Sequence, residues 1–195
     1  MPPSSPAARQ SPIIRPIEAR DLAEVRAELN THWHSSQIWS LGRGHQADAL
    51  PGFVAEINGA FAGLVTINLD PGAWQCEVIT LSSRAARHGP QDGAQDGAQD
   101  GAQDGAQRGV KHGAGSALLA AAEEFARAHN CGRIYLTTTN DNTHAIRFYQ
   151  RRGWRFAALH KGNVDRARAL IPEIPLLGFD DIQVRDEIEF ERWLA

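Results

Sequence analysis

Residues 110–115 read Val-Lys-His-Gly-Ala-Gly, with Arg108 just upstream and an apolar helical pattern just downstream. A glycine-rich turn that opens a helix can set backbone N–H groups against a phosphate, and the helix dipole adds about half a positive charge there. From these residues alone, a plain turn into a helix reads equally well. A dinucleotide-binding unit does not. The glycines follow a run of strands instead of the first strand of a β-α-β unit, and no acidic residue ends a second parallel strand at the required distance. Cys76 and Cys131 lie in apolar segments without metal-ligand spacing, so they read as packed, reduced thiols. His32-Trp33-His34 and His45 lack an acidic or Cys partner at matching spacing, and no metal is expected.

The patterning around these residues predicts an α/β scaffold. A strand over 13–17 leads to a helix over 18–29 that places Leu22, Val25 and Leu29 on one face. Residues 31–50, rich in His and Trp and poorly periodic, predict a second short helix and a loop, ended by Pro51-Gly52. Strands over 53–57 and 61–67 flank Asn58-Gly59-Ala60, a strong hairpin signal. A strand over 74–81 completes an antiparallel meander. Downstream come a helix over 116–129, a strand over 133–138 and a helix over 142–152 that buries Ala145, Phe148 and Tyr149 and is capped by Gly153. A strand over 154–160, an irregular stretch with one helical turn over 165–170, and a last strand over 185–193 follow. This order implies one mixed sheet with helices on both faces.

Composition narrows the function classes. The 195 residues carry 20 basic and 23 acidic side chains, a net charge of −3. Four of the acids sit in a fourfold Gln-Asp-Gly-Ala repeat over 91–106; without it the balance is close to neutral, which gives no electrostatic case for nucleic acid or a membrane surface. The repeat has no apolar residue but Ala and cannot offset its ordering entropy by burial. It reads as part of a loop insertion over about 84–108 in a single domain over 12–195, preceded by a loose Pro-, Ser- and Ala-rich tail over 1–11. No stretch approaches the roughly 20 apolar residues of a membrane span, and the N-terminus lacks the apolar core of a secretory signal. A cytoplasmic location is expected.

The segment Asn142-Thr143-His144-Ala145-Ile146-Arg147-Phe148-Tyr149-Gln150-Arg151-Arg152-Gly153-Trp154, following the glycine-rich turn, resembles the GNAT superfamily of N-acetyltransferases. That family's pattern is Asn-x-x-Ala-x-x-Phe-Tyr-x-x-x-Gly-Phe, and only its last position differs, where this chain has Trp154. Element order extends the likeness from residue 13 to 193. Further runs, among them Leu-Thr-Thr-Thr-Asn-Asp-Asn over 136–142 and Pro-Glu-Ile-Pro over 172–175, resemble a bacterial subgroup of unassigned acceptor. The family loop begins with Arg or Gln; Val110 stands there instead.

The resemblance implies a mixed, mostly antiparallel sheet with a splayed central strand pair, acetyl-CoA as cosubstrate, and acetyl transfer to a small-molecule or protein amine by direct attack. It allows a homodimer. Carried over by position, His112, Gly113, Ala114, Gly115 and Ser116 bind the pyrophosphate, with Arg108 or Lys111 as side-chain partners. The main chain of Ile79, Thr80 and Leu81 pairs with pantetheine, which Asn142 and Phe148 also border. Tyr149 protonates the departing thiolate, against a purely packing role. Glu77 is the general base, against a solvent-facing carboxylate on an alternating strand. Asn142 serves equally as a helix N-cap. Trp33, Trp39 and His160 border the acceptor groove, against packing for the indoles and a surface ion-pair network for His160. A non-catalytic acyl-CoA-binding module is the alternative function.

Overall fold

The computed structural model describes residues 11–84 and 113–194. The tail, the repeat, and Arg108, Lys111 and His112 lie outside the described residues. Strand β1 (Ile13–Pro16) leads to helix α1 (Leu22–Trp33), then to a two-stranded hairpin, β2 (Gln37–Ser40) and β3 (Arg43–Gln46). Strands β4 (Gly52–Ile57), β5 (Ala60–Asp70) and β6 (Gln75–Ser83) form the meander. Helix α2 (Ala114–Ala128), strand β7 (Arg133–Thr139), helix α3 (Thr143–Arg151), strand β8 (Arg155–His160), helix α4 (Asn163–Arg168) and strand β9 (Glu187–Trp193) complete the order.

Seven strands form one sheet in the order β1-β4-β5-β6-β7-β9-β8, and β2-β3 stands apart. Of the pairs in the large sheet, β6 with β7 is parallel and the others are antiparallel. The sheet has helices on both faces. Val25 and Leu29 of α1 pack with Val54, Leu64 and Ile79 on one face. Leu118, Leu119 and Ala122 of α2 and Ala145, Phe148 and Tyr149 of α3 pack with Val65, Val78, Leu136 and Phe190 on the other. Both helix stripes recur at the spacing that a 3.6-residue period demands.

The hairpin corrects the short helix and loop expected over 31–50. Leu41 and Gly42 both have positive φ, 50° and 74°, the pattern of the primed two-residue turns whose twist suits a hairpin. Ile38 and Ser40 are buried on one side of β2 while Gln37 is exposed on the other. The period is therefore two, over a span too short to stand out in sequence. The expected Asn58-Gly59 turn is of the same kind, with φ of 56° and 74°.

The parallel pair positions everything that follows. Its register holds four partners, Gln75 with Arg133 through Val78 with Leu136. Beyond these the strands separate, although β6 continues to Ser83 and β7 to Thr139. On the other edge of β6, Val78 pairs with Ile67 and Thr80 with Thr66, which leaves Ile79 as a bulge at the point of separation. Bulges bend a strand and release its backbone from the ladder.

Candidate active site

The end of β6 lies close to the start of α2. Gly113 is its N-cap, with no side chain bonded to the cap. Ala117 N–H donates to the Gly113 carbonyl at 3.1 Å, the first bond of the helix. The N–H groups of residues 114–116 precede that bond and have no intrahelical acceptor. Arg152, the C-cap of α3, comes to this end. Its Nε donates to Ser116 Oγ at 2.9 Å, its Nη1 donates to the Phe148 carbonyl at 3.0 Å, and its guanidinium lies 3.5 Å from the centre of the Phe148 ring. A Cβ on Gly115 would stand 3.1 Å from Ser83 Oγ and 3.6 Å from the Phe148 ring, so glycine lets α2 start close to the end of β6.

The run Asn140-Asp141-Asn142 divides three tasks. Asn140 Oδ1 accepts from the N–H groups of Arg185 and Asp186, both at 3.0 Å, and Asp141 Oδ2 accepts from Phe179 N–H at 3.1 Å. These two tie the long segment before β9 to the end of β7. Asn142 Oδ1 accepts from Ala145 N–H at 3.0 Å, so the N-cap reading of Asn142 holds in the structure. Tyr149 follows on the inner face of α3. Its ring is buried against Phe148, Trp154 and Phe190, with centroids 5.2, 5.9 and 5.5 Å away. Phe190 pairs with Leu136, the last β7 residue in register with β6. Burial raises the Tyr149 phenol above its ordinary range, so it keeps its proton at neutral pH. Trp154, in the place of the family's Phe, uses its extra polar group: Nε1 donates to buried Glu123 at 3.2 Å.

Glu77 occupies the opposite face of the sheet, between Cys76 and Val78, which belong to the core on the helix α2 side. It is 1% exposed. Ser40 Oγ donates to its Oε1 at 2.5 Å; Tyr135 Oη donates to Oε2 at 3.0 Å, and Arg43 Nη2 to the same oxygen at 3.3 Å. Arg43 also donates to Tyr135 Oη at 3.0 Å. His45 Nε2 stands 4.0 Å from Oε2, buried and without a hydrogen-bond partner. Burial lowers the His45 pKa, partly opposed by the Glu77 charge. Burial, with Glu77 beside it, pushes the Tyr135 phenol up to about 12. Burial also drives the Cys76 thiol up to about 12, so it stays protonated at neutral pH.

The structure thus brings Gly115 and Ser116 together with Ser83, Phe148 and Arg152, just past Ile79–Leu81 on β6, while Asn142 caps α3, Tyr149 packs in the core and Glu77 lies on the other face of the sheet. Trp33 stacks edge-on against His32, and Trp39 lies along Gly44 of the hairpin; neither is among the partners of Glu77. His160 Nε2 and Glu189 Oε2 are 2.7 Å apart, and Glu189 also accepts from Arg133, so His160 adjoins the Arg133–Glu189 ion pair. Ser40, Arg43, Tyr135 and Thr137 were not singled out by sequence, and His45 was weighed there only as a metal ligand. The β-formers at 135 and 137 were visible, but only the parallel register sets them beside Glu77. Among the described residues, no group of three or more His, Cys, Asp or Glu side chains is placed to hold a metal ion, and no helix is long and apolar enough to cross a membrane.

Comparison with known proteins agrees with this geometry. The model of the Acetyltransferase (GNAT) family matches residues 110–154. The uncharacterized protein YdhI of Bacillus subtilis is 35% identical over 162 residues, which span 83% of this chain and 85% of YdhI. Among solved structures, a Bacillus subtilis acetyltransferase in complex with CoA superimposes with a TM-score of 0.60 at 15% identity, covering 95% of this chain and all of that one. The yncA structure from Salmonella typhimurium, with its cofactor acetyl-CoA, gives 0.58 at 16% identity and covers 95% of each chain. At these identities the two structures speak for the fold.

Proposed function

The chain belongs to the GNAT family of acetyltransferases, and from that premise we propose that it transfers an acetyl group from acetyl-CoA to a primary amine by direct attack. The observation that carries this reading is the splay. Four paired rungs and a bulge at Ile79 give way to strand ends no longer paired with each other, and the start of α2 lies close to the end of β6.

The residues fit the cosubstrate. The main-chain groups of Ile79, Thr80 and Leu81 on the open edge suit the amides of a pantetheine arm, with Phe148 and Asn142 beside them. The N–H groups of Gly113, Ala114, Gly115 and Ser116 suit a pyrophosphate. Arg152 adds positive charge there, and Arg108, Lys111 and His112 join by their place in the sequence. Acetyl-CoA supplies the acetyl group as an activated thioester. Tyr149, kept protonated by burial, is the acid for the departing thiolate, and Glu77 is the base that receives the proton of the amine. We further propose that Trp33, Trp39 and His160 border the acceptor groove, that the acceptor is a small-molecule or protein amine, and that the chain acts without a metal, in the cytoplasm, as a monomer or homodimer.

One observation favours a second reading, a non-catalytic acyl-CoA-binding module: Glu77 is 1% exposed and already accepts from three donors. Purified protein mixed with acetyl-CoA and a panel of amino acids, polyamines, aminoglycosides and peptides separates the two. Release of free CoA thiol together with an acetylated amine is the expected result. Tight binding of acetyl-CoA with no thiol released by any amine would establish the binding module instead.

A further inference from the structure

Glu77 is too deeply covered for an amine to touch it, so a base at this position needs a conductor for the proton. Its Oε2 is closed off by Tyr135, Arg43 and the nearby His45. Oε1 opens onto a different path. Ser40 Oγ donates to it at 2.5 Å, and Ser40 Oγ lies 2.9 Å from Thr137 Oγ1.

Proton counting fixes the direction of that path. A hydroxyl has one proton and two lone pairs, while an ionised carboxylate can only accept. With its single proton given to Glu77, Ser40 must accept from Thr137. Thr137 is then the donor of this pair, its Oγ1 keeps lone pairs that can accept, and the residue is only partly buried. Thr137 is also the first β7 residue beyond the last pair with β6, so the chain of hydroxyls ends at the mouth of the splay.

We propose that Thr137 and Ser40 form an oriented hydroxyl relay that carries the proton of the attacking amine from the splay to buried Glu77. This rests on the acetyl-transfer reading above. The bound ammonium first gives one N–H proton to Thr137 Oγ1, the Thr137 proton goes to Ser40 Oγ, and the Ser40 proton to Glu77 Oε1. The freed amine nitrogen then bonds to the acetyl carbonyl carbon as the C–S bond breaks. Glu77 ends as a neutral acid, the sulfur takes a proton from Tyr149, and the new amide nitrogen releases its second proton to water. Two of the three participants come from the sheet and one from the hairpin. The hairpin is fixed to the sheet nearby by Leu41 N–H, which donates to Glu187 Oε2 at 3.3 Å. The titratable groups around the relay are Arg43 and His45 of β3, Tyr135 of β7, Glu187 and Glu189 of β9, and His160 of β8.

The test uses Thr137→Val, Ser40→Ala and Thr137→Ser in the full chain, with acetyl-CoA and the best primary amine from the panel. The first two should lower kcat for the amine on the order of 100-fold, the usual scale of general acid–base help. The dissociation constant of acetyl-CoA by calorimetry should change less than about twofold. Their rates should climb with pH towards the amine's own pKa, about 10 for an alkylamine, because only amine already deprotonated can react. Thr137→Ser, which keeps the hydroxyl, should restore both rate and pH profile. Unchanged rates in both Thr137→Val and Ser40→Ala, or slower rates with the wild-type pH profile, would overturn the relay and leave acetyl transfer standing. Absence of turnover by the wild-type chain with every amine would remove acetyl transfer and the relay together.

Discussion

Glu28 and Glu77 are each 1% exposed, yet they are held in different ways. Glu28, on α1, accepts from Arg84 at 2.9 and 2.6 Å and lies 3.1 Å from His32 Nε2. Burial alone would push its carboxyl up; the hydrogen bonds from His32 and Arg84 outweigh that and hold it at about 2. Glu77 has one guanidinium contact, at 3.3 Å, and takes its shorter bonds from the hydroxyls of Ser40 and Tyr135. The first carboxylate is closed by charge. The second is connected to groups that can hand on a proton. Burial of an acid therefore does not by itself mark chemistry; the kind of donor around it does.

The comparison can be broken by substituting each acid. Glu77→Gln keeps the shape and an acceptor for Ser40, and should lower kcat/KM by roughly 100- to 1000-fold, whereas Glu28→Gln should leave turnover unchanged. Steady-state assays on the two variants check this. Tyr149→Phe extends the contrast to a phenol. Its hydroxyl has no partner among the described hydrogen bonds, so kcat should fall about 10- to 100-fold, with the thermal midpoint kept.

Stability should rank the acids the other way. Glu28→Ala strips Arg84 and His32 of their acceptor and should cost about 2 kcal/mol in urea unfolding, at the low end for a buried pair because Arg84 is half exposed. The pH dependence sharpens the point. The folded Glu28 carboxyl, at about 2, lies below its unfolded value of 4.5. Its contribution is thus present above pH 4.5 and is lost as pH falls from there towards 2. Asp21, held at about 2 chiefly by its hydrogen bonds from Arg15, loses its contribution over a similar window. Glu28→Gln should flatten the acid loss measured by denaturant titration between pH 5 and 2. The smallest effect is expected at Gly115→Ala, where a Cβ 3.1 Å from Ser83 Oγ should raise the acetyl-CoA dissociation constant a few-fold.

Much of the face covered by α2 and α3 was legible in the chain. The stripe of α3 follows from helical period, and the turn at Asn58-Gly59 follows from two residues that tolerate positive φ. The covered polar face was not. The β2-β3 hairpin has strands of four residues, its turn begins with Leu41, a residue that rarely adopts φ of 50°, and its buried side carries Ser40 beside Ile38. No hydrophobic alternation could announce it. With the hairpin unseen, Ser40, Arg43 and His45 had no reason to be linked to Glu77. Tyr135 and Thr137 needed a parallel register across an intervening helix, which local spacing does not contain.

The shortness of the β6–β7 pairing also has a mechanical side. The strands β1 and β4 to β6 and the strands β7 to β9 are two half-sheets stitched by four rungs, with the ties from α2 to Arg152, Trp154 and Arg192 as a second seam. A ligand laid along both free edges acts as a splint across that seam. Its binding should slow amide exchange at residues 79–81 and stiffen the two halves into one body.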